Sequence, residues 1–415
     1  MARELLDQDI RVLSVSNLHA ALSRARAQTD ELFELIKPEA LYDRPIPERH
    51  RLIFYLGHLE AFDWNQICRG ALSFPSFHPT FDKLFEFGID PEPGTAAEDQ
   101  PADWPRVSEV FQYRLGVRAR VDEALDHAPD QIVHVAIEHR LMHAETFAYL
   151  MHELPHAKKR AVVEPTGSSG ITAPNPTIRI PAGGATLGQD SGAFGWDNEF
   201  SQHRVSVGEF WISQHKISNG EYLRFVETTG APAPHFWTRD NGRWMWRGMF
   251  GSVPLPLDWP VYVTHDEASA YAKHAGKRLP TEEQFHRAAF GSPSSGERAF
   301  PWGDGAPEAS RGNFDFHRWD PVGVSATRRG DSAFGVSQLA GNGWEWTSTA
   351  FEPFDGFQPF PFYPGYSADF FDGRHFVLKG GSPRTASELL RRSFRNWFRP
   401  NYPYIYATFR LADAG

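Results

Sequence analysis

Three histidines have the residue type and spacing of a metal site. His139 and His143 are four residues apart in the segment IEHRLMHAETFAYLMHELP, so on a helix their Cβ atoms lie about 5–6 Å apart on one face. His58 lies among apolar residues in the segment FYLGHLEAFDWN, and an inward imidazole on a facing helix can supply a third ligand. Three neutral histidines leave coordination positions open for a substrate or for oxygen, as in catalytic metal sites.

Other interpretations of these residues stay open. A buried histidine is often a hydrogen-bonded core residue rather than a ligand. Glu145 could complete a two-histidine, one-carboxylate arrangement, which is typical of non-haem iron. It is two residues after His143, however, and therefore points away from that ligand. His134 and His152 lie off the stripe of His139 and His143, and we predict them at the surface. We favour the three-histidine set.

The histidines fall within segments that have helical periodicity. Apolar residues recur at three- and four-residue spacing with few glycines, which indicates amphipathic helices. The predicted helices are 18–36, 49–72, 104–125 and 131–154. Pro47 and Pro129 precede the second and fourth helices, where proline is common. Four such helices favour a bundle, with residues 74–105 as a long connection over one end.

The chain changes character after residue 155. Residues 156–177 lose all periodicity and gain Gly, Ser, Thr and Pro, which predicts an interdomain linker. Residues 178–415 are rich in Gly, Pro and aromatic residues, with short alternating strands such as HRVSVGEFWIS and helix-like stretches at Asn219–Thr228 and Thr281–Ala289. We therefore predict an α+β protein in which a helical domain, 1–155, precedes a mixed domain, 178–415.

Composition excludes several classes of protein. The chain has 415 residues with 33 Phe and 13 Trp, enough for two packed cores. A net charge of −10 disfavours nucleic acid as a partner. The one cysteine, Cys68, excludes an intramolecular disulfide, a thiolate zinc site and an iron–sulfur cluster, and is typical of a reducing compartment. Without a signal-peptide pattern or a long apolar run, we expect a cytoplasmic protein with no membrane partner.

Ordered segments of the second domain carry a resemblance to a known family. They are IPAGGATLGQD, WDNEFSQHRVSVGEFWISQHKISNGEYLRFV, GKRLPTEEQFHRAA, FPWGD, GNGWEWT, VLKGGSPRT and SFRNWFRPNYPYIYATFRLA. Together with the histidine segments they resemble the ergothioneine-type sulfoxide synthases (EgtB-like), over nearly the whole chain. The resemblance implies an N-terminal DinB-like four-helix bundle and a C-terminal formylglycine-generating-enzyme-like (C-type-lectin-like) α+β domain. It also implies iron(II) on His58, His139 and His143, with O2 as co-substrate.

The reaction that this resemblance implies joins a chalcogen to the imidazole carbon between the two nitrogens of hercynine, which is trimethylhistidine. The family's Tyr-x-x-Tyr segment matches YPGY. It implies Tyr363 as the catalytic phenol and Tyr366 as a substrate contact, although both could be ordinary packing residues. Arg395, Asn396 and Trp397 lie in a loop that contacts substrate in the family. Trp397 and Tyr366 are candidates for the trimethylammonium group, because a quaternary ammonium favours aromatic faces.

Two departures from the family pattern bear on the chalcogen donor. Met142 stands where sulfoxide synthases commonly have Gln, and Phe398 stands where members that use γ-glutamylcysteine can carry an acidic residue. A phenyl group cannot pair with a zwitterion. With the loop LFEFGIDPEPG, these residues look most like the selenoneine synthase (SenA) branch. We therefore predict a selenosugar donor and a selenoneine synthase, with γ-glutamylcysteine or cysteine and carbon–sulfur bond formation as the alternative.

Parts of the sequence also fit other functions and ligands. Asn313, Asp315 and Asn342 could give oxygens to a structural calcium ion, although hydrogen bonding in turns explains them equally well. Formylglycine generation uses a cysteine pair, and this chain has only Cys68. A DinB-type zinc thiol transferase would share the histidines, which suit zinc as well as iron. A non-catalytic binding module would use the lectin-like fold alone.

Overall fold

The computed structural model describes residues 2–86, 99–160, 174–294 and 296–414, with side chains from Asn17 to Asp413 in those ranges. The chain divides into two compact units, Met1–Val162 and Val163–Gly415. Of the predicted linker, residues 161–173 lie outside the described residues. The predicted domain limits at 155 and 178 stay a prediction.

The first unit is helical, as the periodicity predicts. Its helices are α1 Ala2–Glu34, α2 Leu52–Asp63, α3 Pro79–Leu84, α4 Val107–Ala124 and α5 Asp130–Glu153. Helix α1 packs mainly on α5, and α2 packs on both α4 and α5. Helix α1 begins well before the predicted start at Leu18, because residues 2–17 contain no glycine or proline to end a helix. The four long helices form the expected bundle, in which α5 packs between α1 and α2.

The predicted helix 49–72 is two segments in the structure. After Asp63 the helix widens into a π-helical segment, Trp64–Ala71. Such segments are rare and often lie at functional sites. Cys68 is fully buried within it, and burial together with the nearby Asp63 carboxylate raises the pKa of its thiol to about 12.

The connection 74–105 contains a short helix and a buried acidic side chain. Asp82 of α3 accepts hydrogen bonds from the Tyr113 hydroxyl of α4 at 2.8 Å and from the Phe77 backbone N–H at 2.8 Å. These bonds hold helix α3, which Phe85 directly follows. Residues 87–98, which include most of LFEFGIDPEPG, lie outside the described residues.

The second unit is built from short strands. They are β1 Thr177–Ile180, β2 Gly183–Leu187, β3 His203–Val207, β4 Phe210–Ser213, β5 Trp237–Asp240, β6 Arg243–Arg247, β7 Ser252–Pro254, β8 Trp344–Ala350, β9 Phe376–Lys379, β10 Asn396–Phe398, β11 Ala407–Thr408 and β12 Ala412–Ala414. They form sheets in the orders β1-β4-β12, β10-β9-β8-β11, β2-β3 and β5-β6-β7. Trp397 of β10 pairs with Val377 of β9 in antiparallel register, which holds the NWF segment on a sheet edge.

Three helices complete the second unit: α6 Asn219–Thr229, α7 His265–His274 and α8 Glu282–Phe290. The predicted helices at 219 and 281 are confirmed. Helix α7 was not predicted, although Thr264 and Glu267 form a capping box that marks its start. Among the described residues, no helix combines the length and the apolar character needed to cross a membrane.

Candidate metal centre

His58 of α2 and the pair His139 and His143 of α5 converge in the helical bundle. The Nε2 atoms of His58 and His139 are 3.3 Å apart. One nitrogen from each of the three rings lies within 4.8 Å of the others. In the described ranges of the chain, this is the single group of three or more His, Cys, Asp or Glu side chains that is close enough to hold a metal ion. The structure therefore brings the predicted ligands together.

The spacing and orientation of these rings fit a metal ion. Two nitrogens about 2.1 Å from one ion at angles of 90–109° lie about 3.0–3.4 Å apart, which matches the 3.3 Å separation. His58 Nδ1 lies 2.7 Å from the Phe85 carbonyl oxygen. Because a carbonyl oxygen only accepts, Nδ1 must carry the proton and donate it to this bond. That bond leaves the Nε2 lone pair for the ion, the usual arrangement of a metal-bound imidazole.

The other two ligand rings have unsatisfied nitrogens. His139 Nδ1 and His143 Nδ1 are buried and make no hydrogen bond within the described residues. Buried polar atoms rarely lack a partner, so each such atom calls for an explanation. Because His139 directs its Nε2 towards His58, an ion held between them would leave the His139 Nδ1 unbound. The fit to a metal therefore rests on the converging nitrogens, and a buried water could partner the Nδ1 atoms.

The surroundings keep all three imidazoles neutral. Burial lowers the pKa of His58 to about 4, against a smaller opposing effect of the Phe85 carbonyl. Burial also holds the pKa values of His139 and His143 well below the usual range. The Phe62 ring stacks on His139, with ring centroids 3.4 Å apart. Neutral imidazoles with available lone pairs are what a divalent ion requires.

These shifts predict an unusual pH dependence of metal affinity. A proton competes with the metal only below the folded pKa, and all three folded values lie below 6.5. Cobalt(II) affinity should therefore stay nearly constant from pH 7.5 to about 5.5, where a site of exposed histidines with pKa values of about 6.5 would already lose affinity. Titrations at pH 7.5, 6.5 and 5.5 check this. A steep loss that begins at pH 6.5 would contradict it.

Other residues of α5 near the three histidines do not belong to the metal group. Glu145 is nearly buried but does not belong to the three-residue group. The surface prediction for His152 is wrong, because it is 4 % exposed; α5 is covered on nearly all sides towards its end. His134 is half-buried. Met142 is half-buried next to His143, and its carbonyl accepts from Thr146 Oγ1 at 3.2 Å.

Within the second unit, the structure gathers three of the predicted aromatic residues. The Trp397 ring lies edge-on to Tyr366, with centroids 5.5 Å apart. Tyr366 stacks on Trp196 at 3.9 Å and lies 5.6 Å from Tyr363. Burial, reinforced by the Asp197 carboxylate, raises the pKa of Tyr363 to about 12. Tyr363 therefore keeps its phenolic proton at neutral pH.

Two polar residues beside this aromatic group escaped the sequence analysis. Asp197 and Asn198 are both 1 % exposed. Asp197 Oδ1 accepts from Ser367 Oγ at 2.6 Å, while both ends of the Asn198 amide are buried without a hydrogen bond of normal geometry. The run Asp-Asn-Glu between aromatic residues in GWDNEF was the available signal. Only the fold shows that this run lies beside Tyr363 and Tyr366.

The other predicted substrate-contact residues, Arg395, Asn396 and Phe398, bond or pack against residues of the second unit. Arg395 is 3 % exposed, and its Nε and Nη2 each bond one Glu282 oxygen at 3.1 Å. Asn396 Oδ1 accepts from the Trp397 backbone N–H at 2.9 Å. Phe398 is half-buried and stacks on Tyr402, with ring centroids 5.2 Å apart. Substrate contact by these residues stays a prediction.

Of the three residues considered for calcium, Asn342 and Asp315 have protein partners on a side-chain oxygen, whereas Asn313 is bonded through its amide nitrogen and its Oδ1 is buried without a partner within the described residues. Asn342 Oδ1 accepts from Asn313 Nδ2 at 3.1 Å and from the Val322 N–H at 2.9 Å. Asp315 Oδ1 accepts from the Ser387 N–H at 3.3 Å. The turn interpretation accounts for these contacts, and a calcium ion stays a prediction.

Comparison with known protein families agrees with the two-part architecture. Residues 21–153 match the DinB superfamily. Residues 165–414 match the sulfatase-modifying factor enzyme 1-like domain. The predicted fold, a DinB-like helical domain followed by a formylglycine-generating-enzyme-like domain, is thereby confirmed.

Individual relatives place the chain more closely. It is 34% identical to the hercynine oxygenase of Mycolicibacterium smegmatis over 74% of this chain and 78% of the relative. The hercynine oxygenase of Mycolicibacterium thermoresistibile is 35% identical over 71% and 72%. Ergothioneine biosynthesis protein 1 of Neurospora crassa is 29% identical over 91% of this chain, which spans only 55% of that longer relative. The chain therefore belongs to the EgtB-like family of the hercynine oxygenases, with a DinB-superfamily domain followed by a sulfatase-modifying factor enzyme 1-like domain.

Proposed function

We propose that this protein is an iron(II)- and O2-dependent enzyme that joins a chalcogen donor to the imidazole carbon of hercynine. The single observation that carries the proposal is the buried three-histidine group in the DinB-like domain. The two hercynine oxygenases and the fungal ergothioneine biosynthesis protein support hercynine as the substrate. Iron would activate O2 and hold the soft donor atom, so that the carbon–chalcogen bond forms without an acidic C–H.

The residues of the chain have separate tasks in this reaction. His58, His139 and His143 hold the metal as neutral ligands, in a setting walled by the rings of Phe54 and Phe62. Apolar walls exclude water and strengthen electrostatic interactions inside the site. Three protein ligands leave positions on the metal open for reactants.

The aromatic group of the second unit suits the cationic end of hercynine. Trp397 and Tyr366 meet edge to face, and Trp196 extends the stack. A trimethylammonium group has no N–H to donate, so it is recognised by aromatic faces rather than by hydrogen bonds. We assign this contact to Trp397 and Tyr366.

The proposed chalcogen donor is a selenosugar. Support comes from Met142 and Phe398, two half-buried apolar side chains at positions where the family resemblance implies Gln in sulfoxide synthases and an acidic residue in members that use γ-glutamylcysteine. A donor with an ammonium and a carboxylate would leave its charges unpaired against them. Sugar hydroxyls can be met by side chains and by ordered water. The product would then be selenoneine or its precursor.

One experiment tests the reaction class. The full-length protein is loaded with iron(II) without oxygen, mixed with hercynine and one donor, and then exposed to O2. The expected product has the mass of hercynine plus the donor minus two hydrogens, which O2 accepts, or that mass plus one oxygen where the chalcogen is also oxidised. A zinc-loaded protein that transfers thiols without O2 would instead support the DinB-type thiol transferase, and a protein that binds no metal would support the binding module.

Tyr363 is the proposed proton donor because YPGY resembles the family's Tyr-x-x-Tyr segment, and burial, which raises the pKa of its phenol to about 12, is compatible with that role. Tyr363→Phe should lower kcat by about 10²-fold or more, the usual scale of a lost general acid, without changing bound iron or hercynine affinity. The matched control is Tyr366→Phe, which keeps the ring that stacks on Trp196. Single-turnover product formation by both variants gives the comparison. If Tyr366→Phe is the inactive one, the two roles are reversed.

A further inference from the structure

A network of charged side chains, buried at its centre and exposed at Asp122, runs through all four long helices beside the metal centre. Its members are Arg26, Asp30, Glu60, Asp63, Arg114, Arg118, Asp122 and Arg140. Four guanidinium groups face four carboxylates, so the formal charges cancel. Arg140, Glu60 and Asp63 are at most 1 % exposed. We call this set the bundle charge network.

Arg140 is the member that connects the two ligand-bearing helices. It follows His139 directly on α5, and its side chain reaches across to α2. Its Nη2 donates to Asp63 Oδ2 at 2.7 Å, to Glu60 Oε2 at 3.1 Å and to the Leu59 carbonyl at 2.9 Å. Its Nη1 donates to Glu60 Oε1 at 3.2 Å. One guanidinium thus contacts α2 over the residues that immediately follow His58.

Stability is a weak explanation for such a group. Removing charges from water costs several kcal/mol per ion, and a buried ion pair often contributes no more than well-packed apolar side chains of similar size. In some proteins a buried polar or ionic group is retained because it fixes one arrangement out of several. Apolar contacts between two helices tolerate small sliding and rotation, whereas the rigid fork of an arginine does not.

A metal centre needs this kind of restraint. Ligand atoms must lie within about 0.2 Å of their proper distances, and here one ligand is on α2 while two are on α5. We propose that Arg140 is a positioning residue, which fixes α2 against α5 so that His58 meets His139 and His143 around one ion. This inference rests on the metal centre of the proposed function, and concerns the geometry of that centre rather than the reaction.

The test compares two lysine substitutions in the full-length protein, with cobalt(II) as the probe. Arg140→Lys keeps the buried charge but cannot bond Asp63, Glu60 and the Leu59 carbonyl with one fork. We expect cobalt(II) affinity to fall 10- to 100-fold, the usual effect of losing a residue that supports metal ligands, and the visible absorption of the bound cobalt to change. Arg118→Lys is the matched control, because Arg118 also bonds Glu60, at 2.7 and 3.0 Å, but comes from α4. It should keep both the affinity and the spectrum.

Each other outcome overturns the proposal. Equal losses in the two variants would show a general loosening of the bundle. Unchanged affinity and spectrum in Arg140→Lys would show that the ligands are positioned without it. An Arg140→Lys chain that fails to fold would make the residue a requirement of the bundle itself. Because cobalt binding does not depend on turnover, a wild-type protein that binds cobalt but does not convert hercynine refutes the proposed function alone.

Discussion

His139→Ala is expected to give a folded protein that holds almost no iron and makes no product. The Nε2 atom of His139 lies 3.3 Å from that of His58, and its ring stacks on Phe62, so the substitution removes one of the three ligands. Two remaining histidines cannot hold iron(II) against exchange with solvent. His58→Ala and His143→Ala should behave alike. Iron content after desalting and single-turnover product formation measure the effect.

A matched substitution separates ligand loss from general damage. His127→Ala removes an exposed histidine of the same unit and should change neither iron content nor turnover. Circular dichroism shows whether each variant keeps its helices. If His58→Ala retains full iron and activity, the three-histidine set is wrong, and Glu145, the nearly buried carboxylate of α5, becomes the first alternative.

The second large effect concerns the donor. In competition, the selenosugar should be used at least tenfold better than γ-glutamylcysteine or cysteine, judged by kcat/KM. The reason is that an unpaired polar group in a dry site costs about 1–3 kcal/mol, a factor of about 5 to 150. Phe398 and Met142 offer no charge to the ammonium and carboxylate of a peptide donor. Product masses from mixed-donor reactions give the ratio directly.

Phe398→Asp sharpens the donor test. An acidic side chain at this position should raise kcat/KM for γ-glutamylcysteine by about tenfold, which corresponds to 1.4 kcal/mol from one charge-assisted hydrogen bond. Phe111→Asp, at an exposed position of α4, makes the same chemical change elsewhere and should leave the ratio unaltered. Comparable or better use of γ-glutamylcysteine by the unaltered protein would return it to the ergothioneine branch of the family.

The helical half of the molecule was the more predictable. Apolar residues at three- and four-residue spacing indicated all four long helices, and the spacing of His139 and His143 indicated which face carries the ligands. That His58 meets them follows from bundle packing, which periodicity alone does not specify. The resemblance to a known family indicated that His58 joins His139 and His143 as the third ligand.

Arg140 shows why buried contacts between distant residues could not be predicted from the sequence. A charged residue between two histidines is ordinarily expected on the exposed side of a helix, yet Arg140 is 0 % exposed. Its partners, Glu60 and Asp63, lie about 80 positions earlier in the chain. No local pattern records such a pairing. The same holds for Asp197 and Ser367, which are 170 positions apart.

The α2 helix continues into a π-helical segment in which Cys68 is buried. This burial bears on whether the thiol of Cys68 can react with substrates or oxidants. At neutral pH a thiol with a pKa of about 12 is ionised to roughly one part in 10⁵, and the thiolate is the reactive form. In the proposed reaction a selenol or thiol meets O2, and an exposed thiolate would then be captured as a selenylsulfide or mixed disulfide, or oxidised by peroxide. Because the one cysteine of this chain is buried and protonated, the substrates meet no competing protein sulfur nucleophile. Turnover should therefore leave the protein's own mass unchanged.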